Sequence, residues 1–239
     1  MSSVNEETSA VPVARPQRSR AVIVVIGVAV LALLGLVIAL TRSEDPAVSA
    51  RSAGGAGVCG LAPGSQAIPS SKPEATWELV GKMAAPASEA VGPGRRAGVR
   101  SCFARSPSGA LFATVNVMAS LSEEKLRNPA ARELTASGEG KDFLLRELAT
   151  AGPDDPAYAG TSTQVAGYRF LNYSQDLATV DIAVRVGTSS GGGGLLHLPF
   201  TMRWESGDWK LVLLPDGNSA TVYTLTDLAP AGFIPWAGV

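Results

Sequence analysis

The chain has 239 residues, with 20 lysines and arginines against 21 aspartates and glutamates. This near balance argues against a basic nucleic-acid-binding protein and against a strongly acidic one. Two cysteines exclude a disulfide-rich scaffold and an all-cysteine zinc site, and the single histidine excludes a histidine-rich metal site. We therefore expect no metal, no other cofactor and no nucleic-acid partner.

The most apolar part of the chain is an unbroken run over residues 21–40, made only of Ala, Val, Ile, Leu and Gly. A helix of that length spans about 30 Å, the thickness of a bilayer's hydrocarbon core. We therefore predict a single transmembrane helix over 21–41. The polar tail 1–20, predicted to be disordered, carries three arginines against two glutamates. That excess predicts a cell-membrane protein with a cytoplasmic N-terminus and an extracytoplasmic remainder.

A cleaved signal peptide is the alternative interpretation of the same run. Val48, Ser49 and Ala50 resemble a small-residue cleavage site, and a secreted chain would then start near Arg51. Signal peptides usually have apolar regions of about 7–15 residues, so the longer run favours an uncleaved anchor. The spacing of Gly35 and Ala39 leaves self-association into a homo-oligomer open.

Beyond the apolar run, the composition divides the chain into a linker and a domain. Residues 42–75 are rich in Ser, Ala, Gly and Pro, which is typical of a flexible stalk. Residues 76–239 are numerous enough to form one domain with its own hydrophobic core, and we expect order to begin near Trp77.

Helical signals come first in this domain. Ser106 followed by Pro107 is a helix start, with Ser as the N-cap and Pro at the first helical position. Apolar residues then recur at helical spacing to about Leu121. A second short helix is predicted to start at Ser122, and a third covers 142–149.

The periodicity then changes from helical spacing to alternation. Strands are predicted over 164–171, 178–186, 196–204 and 209–214, with apolar side chains on one face and polar ones on the other. Helices packed on one side of such an antiparallel sheet, of about four strands, predict an α+β fold class.

Several stretches of the chain resemble a family of actinobacterial membrane-anchored proteins of unknown biochemical activity. Members of that family often accompany integrative and conjugative elements. The resembling stretches are Trp77–Gly81, Ala85–Ser88, Cys102–Ala113, Val165–Leu171, Trp204–Leu211 and Ala231–Trp236. The resemblance implies an NTF2-like (cystatin-like) external domain, which is a cone of helices packed on a curved antiparallel sheet. It brings no catalytic residues with it.

The same plan of tail, anchor and external domain is similar to the inner-membrane scaffold subunit of type IV secretion systems. The resemblance therefore implies a non-enzymatic scaffold or binding component, as in a conjugation apparatus. Its partners would be the membrane, through residues 21–41, and other membrane or conjugation proteins. The alternative is an extracytoplasmic enzyme or small-ligand receptor that uses the cavity of the NTF2-like domain.

Cys59 and Cys102 are predicted to pair, since both fall in the part expected outside the cytoplasm, where thiols oxidise. Two free thiols remain an alternative. A lipid-bearing cysteine is the other, although Cys59 lies far beyond the end of the apolar run.

Three patterns imitate catalytic motifs. Gly187 to Gly191 fits the G-x-S-x-G nucleophile pattern, but a strand and not a helix should follow it. The glycine run 191–194 lacks the Lys-Ser/Thr of a phosphate-binding loop. The acidic pairs 123–124 and 154–155 are typical of a first helical turn and of a loop. We predict no catalytic site from any of them.

His197 alternates onto the polar face of its strand, which favours a surface residue. A catalytic role would require Asp181 or Glu205 beside it. The aromatic residues of the domain are expected to fill the core; they include Trp77, Tyr168, Tyr173, Trp204 and Trp209. Asn116 is expected to be buried and bonded to a strand or loop backbone.

Overall fold

The computed structural model of the chain describes residues 59–151, 161–188 and 191–237. The predicted tail, transmembrane helix and first part of the stalk, residues 1–58, lie outside the described residues, as does the loop 152–160. The elements in chain order are β1 (Thr76–Val80), β2 (Met83–Ala87), α1 (Pro107–Ser122), α2 (Glu124–Leu134), α3 (Glu139–Thr150), β3 (Thr161–Tyr173), β4 (Leu177–Thr188), β5 (Gly193–Glu205), β6 (Asp208–Leu211), β7 (Tyr223–Leu225) and β8 (Ile234–Pro235).

Helix α1 forms the centre of the molecule. Its predicted start is confirmed: the Ser106 hydroxyl accepts a hydrogen bond from the Gly109 N–H at 3.0 Å, and Pro107 occupies the first turn. Nearly all of its side chains are buried, because it packs against β2 and α2 on one side and against β4 and β6 on the other. A helix that is apolar all round requires such burial.

The large sheet is antiparallel and has the order β6-β5-β4-β3-β8, with β7 paired to β5. Cross-strand register assigns its faces, since directly opposed residues share a face. Tyr168, Ile182 and Leu198 lie in one row and are buried, and this inner face forms the core with α1. Arg169 and Asp181 are opposed on the other side, which we call the outer face.

A separate hairpin, β1–β2, lies on the far side of α1. Side-chain amides join it to the rest of the fold. Gln164 accepts a hydrogen bond from the Ala84 N–H at 3.2 Å and donates one to the Lys82 carbonyl at 3.1 Å. Asn116 donates to the Pro86 carbonyl at 2.9 Å, which confirms its predicted role as a buried polar anchor.

The predicted fold class is wrong. In place of an NTF2-like cone with a sheet of about four strands, the described residues form a mixed α/β domain with three helices and a six-stranded antiparallel sheet. Within the described ranges, no helix combines the length and the apolar character needed to cross a bilayer. The extra strands escaped prediction because β7 and β8 are too short to show alternation, and β2 is buried on both faces by small residues.

The described part of the predicted stalk, residues 59–75, runs along the domain and is bonded to it. The Tyr168 hydroxyl donates to the Ser71 carbonyl at 2.9 Å, and the Trp236 indole N–H donates to the Pro73 carbonyl at 3.1 Å. Gln66 donates to the Arg105 carbonyl at 2.8 Å. Because of these contacts, the ordered part of the chain includes residues well before Trp77, where order was expected to begin.

The buried hydroxyl of Tyr168 makes stability sensitive to alkaline pH. Burial raises the pKa of Tyr168 to about 12 from 10. The folded state favours the neutral phenol, so Tyr168 contributes to the free energy of unfolding at low pH. This contribution is complete below pH 10 and is lost as the pH rises toward 12, a loss of roughly 2–3 kcal/mol. We expect Tyr168→Phe to be less stable than the wild type at pH 9, since it lacks the bond to Ser71, and the difference to shrink or reverse by pH 12.

Urea unfolding of both proteins across this pH range measures the effect. Tyr173→Phe is the matched control, because burial also raises the pKa of Tyr173 but leaves that side chain less enclosed. Parallel stability curves for Tyr168→Phe and the wild type would contradict the assignment.

Candidate functional site

The polar group of greatest chemical interest is an ion cluster on the outer face, made of Arg169, Asp181 and His197. The His197 Nδ1 lies 3.0 Å from each carboxylate oxygen of Asp181. Arg169 approaches the same carboxylate, with its Nε at 3.0 Å and its Nη2 at 2.8 Å from Oδ2. Asp181 is only 1% exposed, so its charge is balanced by the Arg169 guanidinium, and its oxygens bond these two side chains and not bulk water. We call this the outer cluster.

Neighbouring strands position the three side chains. Arg169 of β3 is directly opposed to Asp181 of β4, while His197 of β5 is opposed to Ala183, one step further along the same face. The outer cluster therefore crosses three strands. From the sequence, Asp181 is required beside His197 only if His197 is catalytic, and Arg169 is not indicated at all. The position of Arg169 opposite Asp181 depends on a bulge between Val165 and Gly167.

The C-terminal segment, residues 221–237, covers the outer cluster, and we call it the strap. The Tyr223 ring stacks on His197 with a centroid distance of 5.1 Å, and the Phe233 ring meets it edge-on at 5.5 Å. Arg169 donates to the Ala231 carbonyl at 2.7 Å, and its guanidinium carbon lies 4.5 Å from the Phe233 ring centroid. The outer cluster thus binds the strap to the sheet.

Beyond Phe233, the strap pairs with the edge of β3 and turns to the inner face. There the Trp236 ring contacts those of Trp77, Phe112 and Tyr168 at centroid distances of 4.8, 5.4 and 5.6 Å. The strap therefore wraps the edge of the sheet, with polar anchors on the outer face and an aromatic anchor inside.

The outer cluster has one feature of a catalytic base and lacks others. A carboxylate facing Nδ1 fixes the proton on that nitrogen and leaves Nε2 as the potential acceptor. Among the described residues, no group forms a hydrogen bond with Nε2. His197 is 15% exposed and is enclosed by two rings. The geometry suits an anchor better than a reaction centre.

Close approach of the strap depends on Gly167. A Cβ on this residue would lie 2.8 Å from the Ile234 carbonyl oxygen and 3.3 Å from a Leu228 methyl. We expect Gly167→Ala to displace the strap, to speed amide exchange over residues 228–236 and to lower the free energy of unfolding by about 1–3 kcal/mol. Hydrogen exchange followed by mass spectrometry measures this.

A second glycine provides the control. Gly194→Ala places its Cβ in open space on β5 and should leave exchange in the strap unchanged. Equal exchange in the strap for Gly167→Ala and the wild type would show that the strap does not need this contact.

Glu205, the other acidic residue considered for His197, belongs to a different group. It pairs with Arg203 and accepts hydrogen bonds from the Ser137 N–H at 3.0 Å and the Ser137 hydroxyl at 2.7 Å. Burial acts to raise the pKa of Glu205, but the hydrogen bonds from Ser137 and Arg203 outweigh it and lower the pKa to about 2. Glu205 lies eight positions after His197 on β5, roughly 26 Å along the strand.

The other catalytic look-alikes have structural explanations. Strand β4 ends at Thr188 and β5 begins at Gly193, so a strand follows the G-x-S-x-G pattern where a nucleophile elbow needs a helix. Ser189 and the acidic pair 154–155 lie outside the described residues. Glu123 and Glu124 stand at the start of α2. Among the described residues, no group of three His, Cys, Asp or Glu is placed to hold a metal ion.

The predicted core aromatics do pack in the core. Tyr168 and Trp209 are fully buried, and Trp77, Tyr173 and Trp204 pack against the same cluster while partly exposed. Trp209 also donates its indole N–H to the Ala104 carbonyl at 3.0 Å.

The two cysteines of the chain form a disulfide, Cys59–Cys102, with a Cα–Cα distance of 5.5 Å. The bond joins the first described residue to the loop that precedes α1. Asp208, the first residue of β6, accepts hydrogen bonds from the Cys102 and Phe103 N–H groups at 2.8 and 2.9 Å. The disulfide is thus attached to a backbone that the sheet holds in place.

A shallow groove of about 310 Å³ lies between α2 and the loop 93–101. Its apolar lining consists of Val99, Leu126 and Pro129, and the exposed residues Ala97 and Gly98 form one lip. Arg95 and Glu133 pair across it at 2.6 Å. No sequence signal indicates this groove, because its two walls are distant in the chain and neither carries a motif.

A model of the family described as "Domain of unknown function (DUF8175)" matches residues 40–235. The chain belongs to this family. The matched region includes the outer cluster, the groove and both cysteines. No curated protein matches the chain, and no solved structure matches it.

These comparisons give no support to several expectations drawn from the resemblance. The family description mentions no conjugation, no type IV secretion and no NTF2-like fold, and no matching structure supplies one. Those links therefore lack support. The disulfide is consistent with the expected extracytoplasmic location.

Proposed function

We propose that this chain acts outside the cytoplasm as a non-enzymatic scaffold or binding component. One observation carries the proposal: the single histidine of the chain is engaged in anchoring the strap. Its Nδ1 bonds Asp181, its ring is enclosed by Tyr223 and Phe233, and the shared carboxylate is already paired with Arg169. The group of side chains best suited to acid–base chemistry, the outer cluster, therefore stabilises the fold.

The compartment is supported by the Cys59–Cys102 disulfide, because such bonds persist in oxidising surroundings and are rare where thiols are kept reduced. The groove between α2 and the loop 93–101 offers this component a surface for a partner, with an apolar lining and a charged border.

Site-directed photo-crosslinking in living cells tests the proposal. A photoreactive residue at Ala97, on the lip of the groove, should give a discrete protein adduct. The same residue at Arg185, which is exposed on the outer face of β4, is the control and should not. The adduct should persist in a His197→Gln background. Absence of an adduct from Ala97 would contradict a binding role for the groove.

An extracytoplasmic enzyme is the second candidate, and the hydrogen bond from Nδ1 to Asp181 favours it, since this geometry orients a general base. The same crosslinking experiment separates the two. If His197→Gln abolishes the cellular phenotype of the gene while the Ala97 adduct is retained, the enzyme hypothesis gains and the scaffold hypothesis fails. If the phenotype depends on the groove and not on His197, the reverse holds.

A further inference from the structure

We propose that the groove between α2 and the loop 93–101 binds an extended acidic segment of a partner protein, with an apolar residue between its carboxylates. This inference rests on the proposed binding function and names the chemistry of the partner.

The first support is the charge around the groove. The loop carries three arginines within a stretch of six residues, which are Arg95, Arg96 and Arg100. Helix α2 carries Lys125 and Arg132. Glu78 forms ion pairs with both Arg96 and Arg100, at 2.8 and 2.7 Å, and Glu133 forms one with Arg95. With Arg127, Glu123 and Glu124 included, the loop, α2 and Glu78 carry six cations and four carboxylates, whereas the whole chain has a formal charge of −1. The surface around the groove therefore has a small net positive charge.

The second support is the position of Lys125 and Arg132. They lie four residues before and three residues after Pro129, which lines the groove, so helical geometry places all three on neighbouring parts of one face. Both side chains are exposed, and in the described part of the chain neither forms an ion pair. These are the cations available to a partner.

Their spacing sets the pattern that a partner should carry. Seven helical residues separate the two positions by about 10 Å along the axis. A peptide in the polyproline II conformation rises about 3.1 Å per residue with three residues per turn, so carboxylates three residues apart lie on one side and span nearly the same distance. The residues between them would lie over the apolar lining formed by Val99, Leu126 and Pro129. The expected motif is acidic–x–x–acidic with an apolar residue at one x.

An acidic peptide fits this surface better than nucleic acid or an anionic membrane does. Both of those present phosphates over a broad area and call for many unpaired cations, whereas here Arg95, Arg96 and Arg100 are already paired. The apolar lining would gain nothing from a phosphate backbone. Burial of an aliphatic side chain against it would contribute favourable binding free energy. A short peptide therefore uses both properties of the groove.

Titration of the full chain with a fluorescent peptide tests the inference. The probe is Gly-Ser-Glu-Val-Val-Glu-Ser-Gly, and the comparison peptide has Lys in place of each Glu. We expect the acidic peptide to bind, the basic one not to bind, and added salt to weaken binding. The double variant Lys125→Glu/Arg132→Glu should weaken binding by about tenfold or more.

The matched control is Arg146→Glu/Arg185→Glu, which makes the same charge change on exposed residues of α3 and β4 away from the groove. Circular dichroism confirms that each variant is folded. Equal weakening by both double variants, or no binding of the acidic peptide, would overturn the inference. So would tighter binding of a DNA duplex or of phosphatidylglycerol vesicles through the same two cations.

Failure here is distinguishable from failure of the proposed function. If Ala97 still gives its crosslinked adduct but the acidic peptide does not bind, the partner chemistry is wrong and the binding function stands. If neither is observed, the groove is not a binding surface.

Discussion

Removal of the Cys59–Cys102 disulfide is expected to lower the free energy of unfolding by about 4 kcal/mol. The bond closes a loop with a sequence separation of 43 residues, and its absence restores the conformational freedom of that loop in the unfolded chain. The Cys59→Ser/Cys102→Ser double variant, unfolded by urea, measures the change.

The wild type in reducing buffer is the control and should match the double variant, because both lack only the covalent bond. A loss below about 1 kcal/mol would contradict this expectation and would mean that the unfolded chain is already restricted without the bond. The same variant also tests location. If the bond forms outside the cytoplasm, blocking disulfide formation in cells should lower the abundance of the wild type but not that of the variant.

Asp208→Ala is expected to cost about 3–5 kcal/mol of folding free energy, the second large effect. The Asp208 carboxylate is buried and accepts hydrogen bonds from the N–H groups of Cys102, Phe103 and Trp209 at 2.8, 2.9 and 2.9 Å. Alanine leaves these buried donors without a charged acceptor, and each unmet donor costs about 1–3 kcal/mol. Urea unfolding monitored by Trp fluorescence measures the loss.

Asp216→Ala is the control for Asp208→Ala. That carboxylate is exposed and bonds only Asn218 within its own turn, so the cost should stay below about 1 kcal/mol. Combining Asp208→Ala with the cysteine variant should give less than the sum of the two losses, because both act on the backbone at Cys102. Full additivity would show that the carboxylate and the disulfide stabilise separate parts of the fold.

Much of the regular structure could be predicted because its signals are local. The cap formed by Ser106 and Pro107 depends only on neighbouring backbone, and the alternation in β4 and β5 reflects one buried and one outer face. The hairpin β1–β2 lacked such a signal, since Met83–Ala87 is buried throughout and shows no alternation. Its place against α1 is set by Asn116 and Gln164, which are distant in sequence.

The candidate site was only half accessible to prediction. Alternation placed His197 on the polar side of its strand, and the residue does lie on the outer face. What alternation cannot show is that the strap returns to cover that face with Tyr223 and Phe233. The expected open polar surface is therefore a buried ion cluster, and the expected flexible stalk is, from residue 59, a segment bonded to the domain.

The sequence by itself determined the number of cysteines and histidines, the presence and order of helices α1 to α3 and of strands β3 to β5, and the alternation of inner and outer side chains along β4 and β5. These follow from the periodicity of the backbone and from the conformational limits of each residue. Only the tertiary structure decided that Asp181 bonds both Arg169 and His197, that the strap covers them, and that α2 and the loop 93–101 form a groove. The physical reason is that each of these contacts joins segments far apart in the chain, and their register and approach depend on the packing of the whole domain.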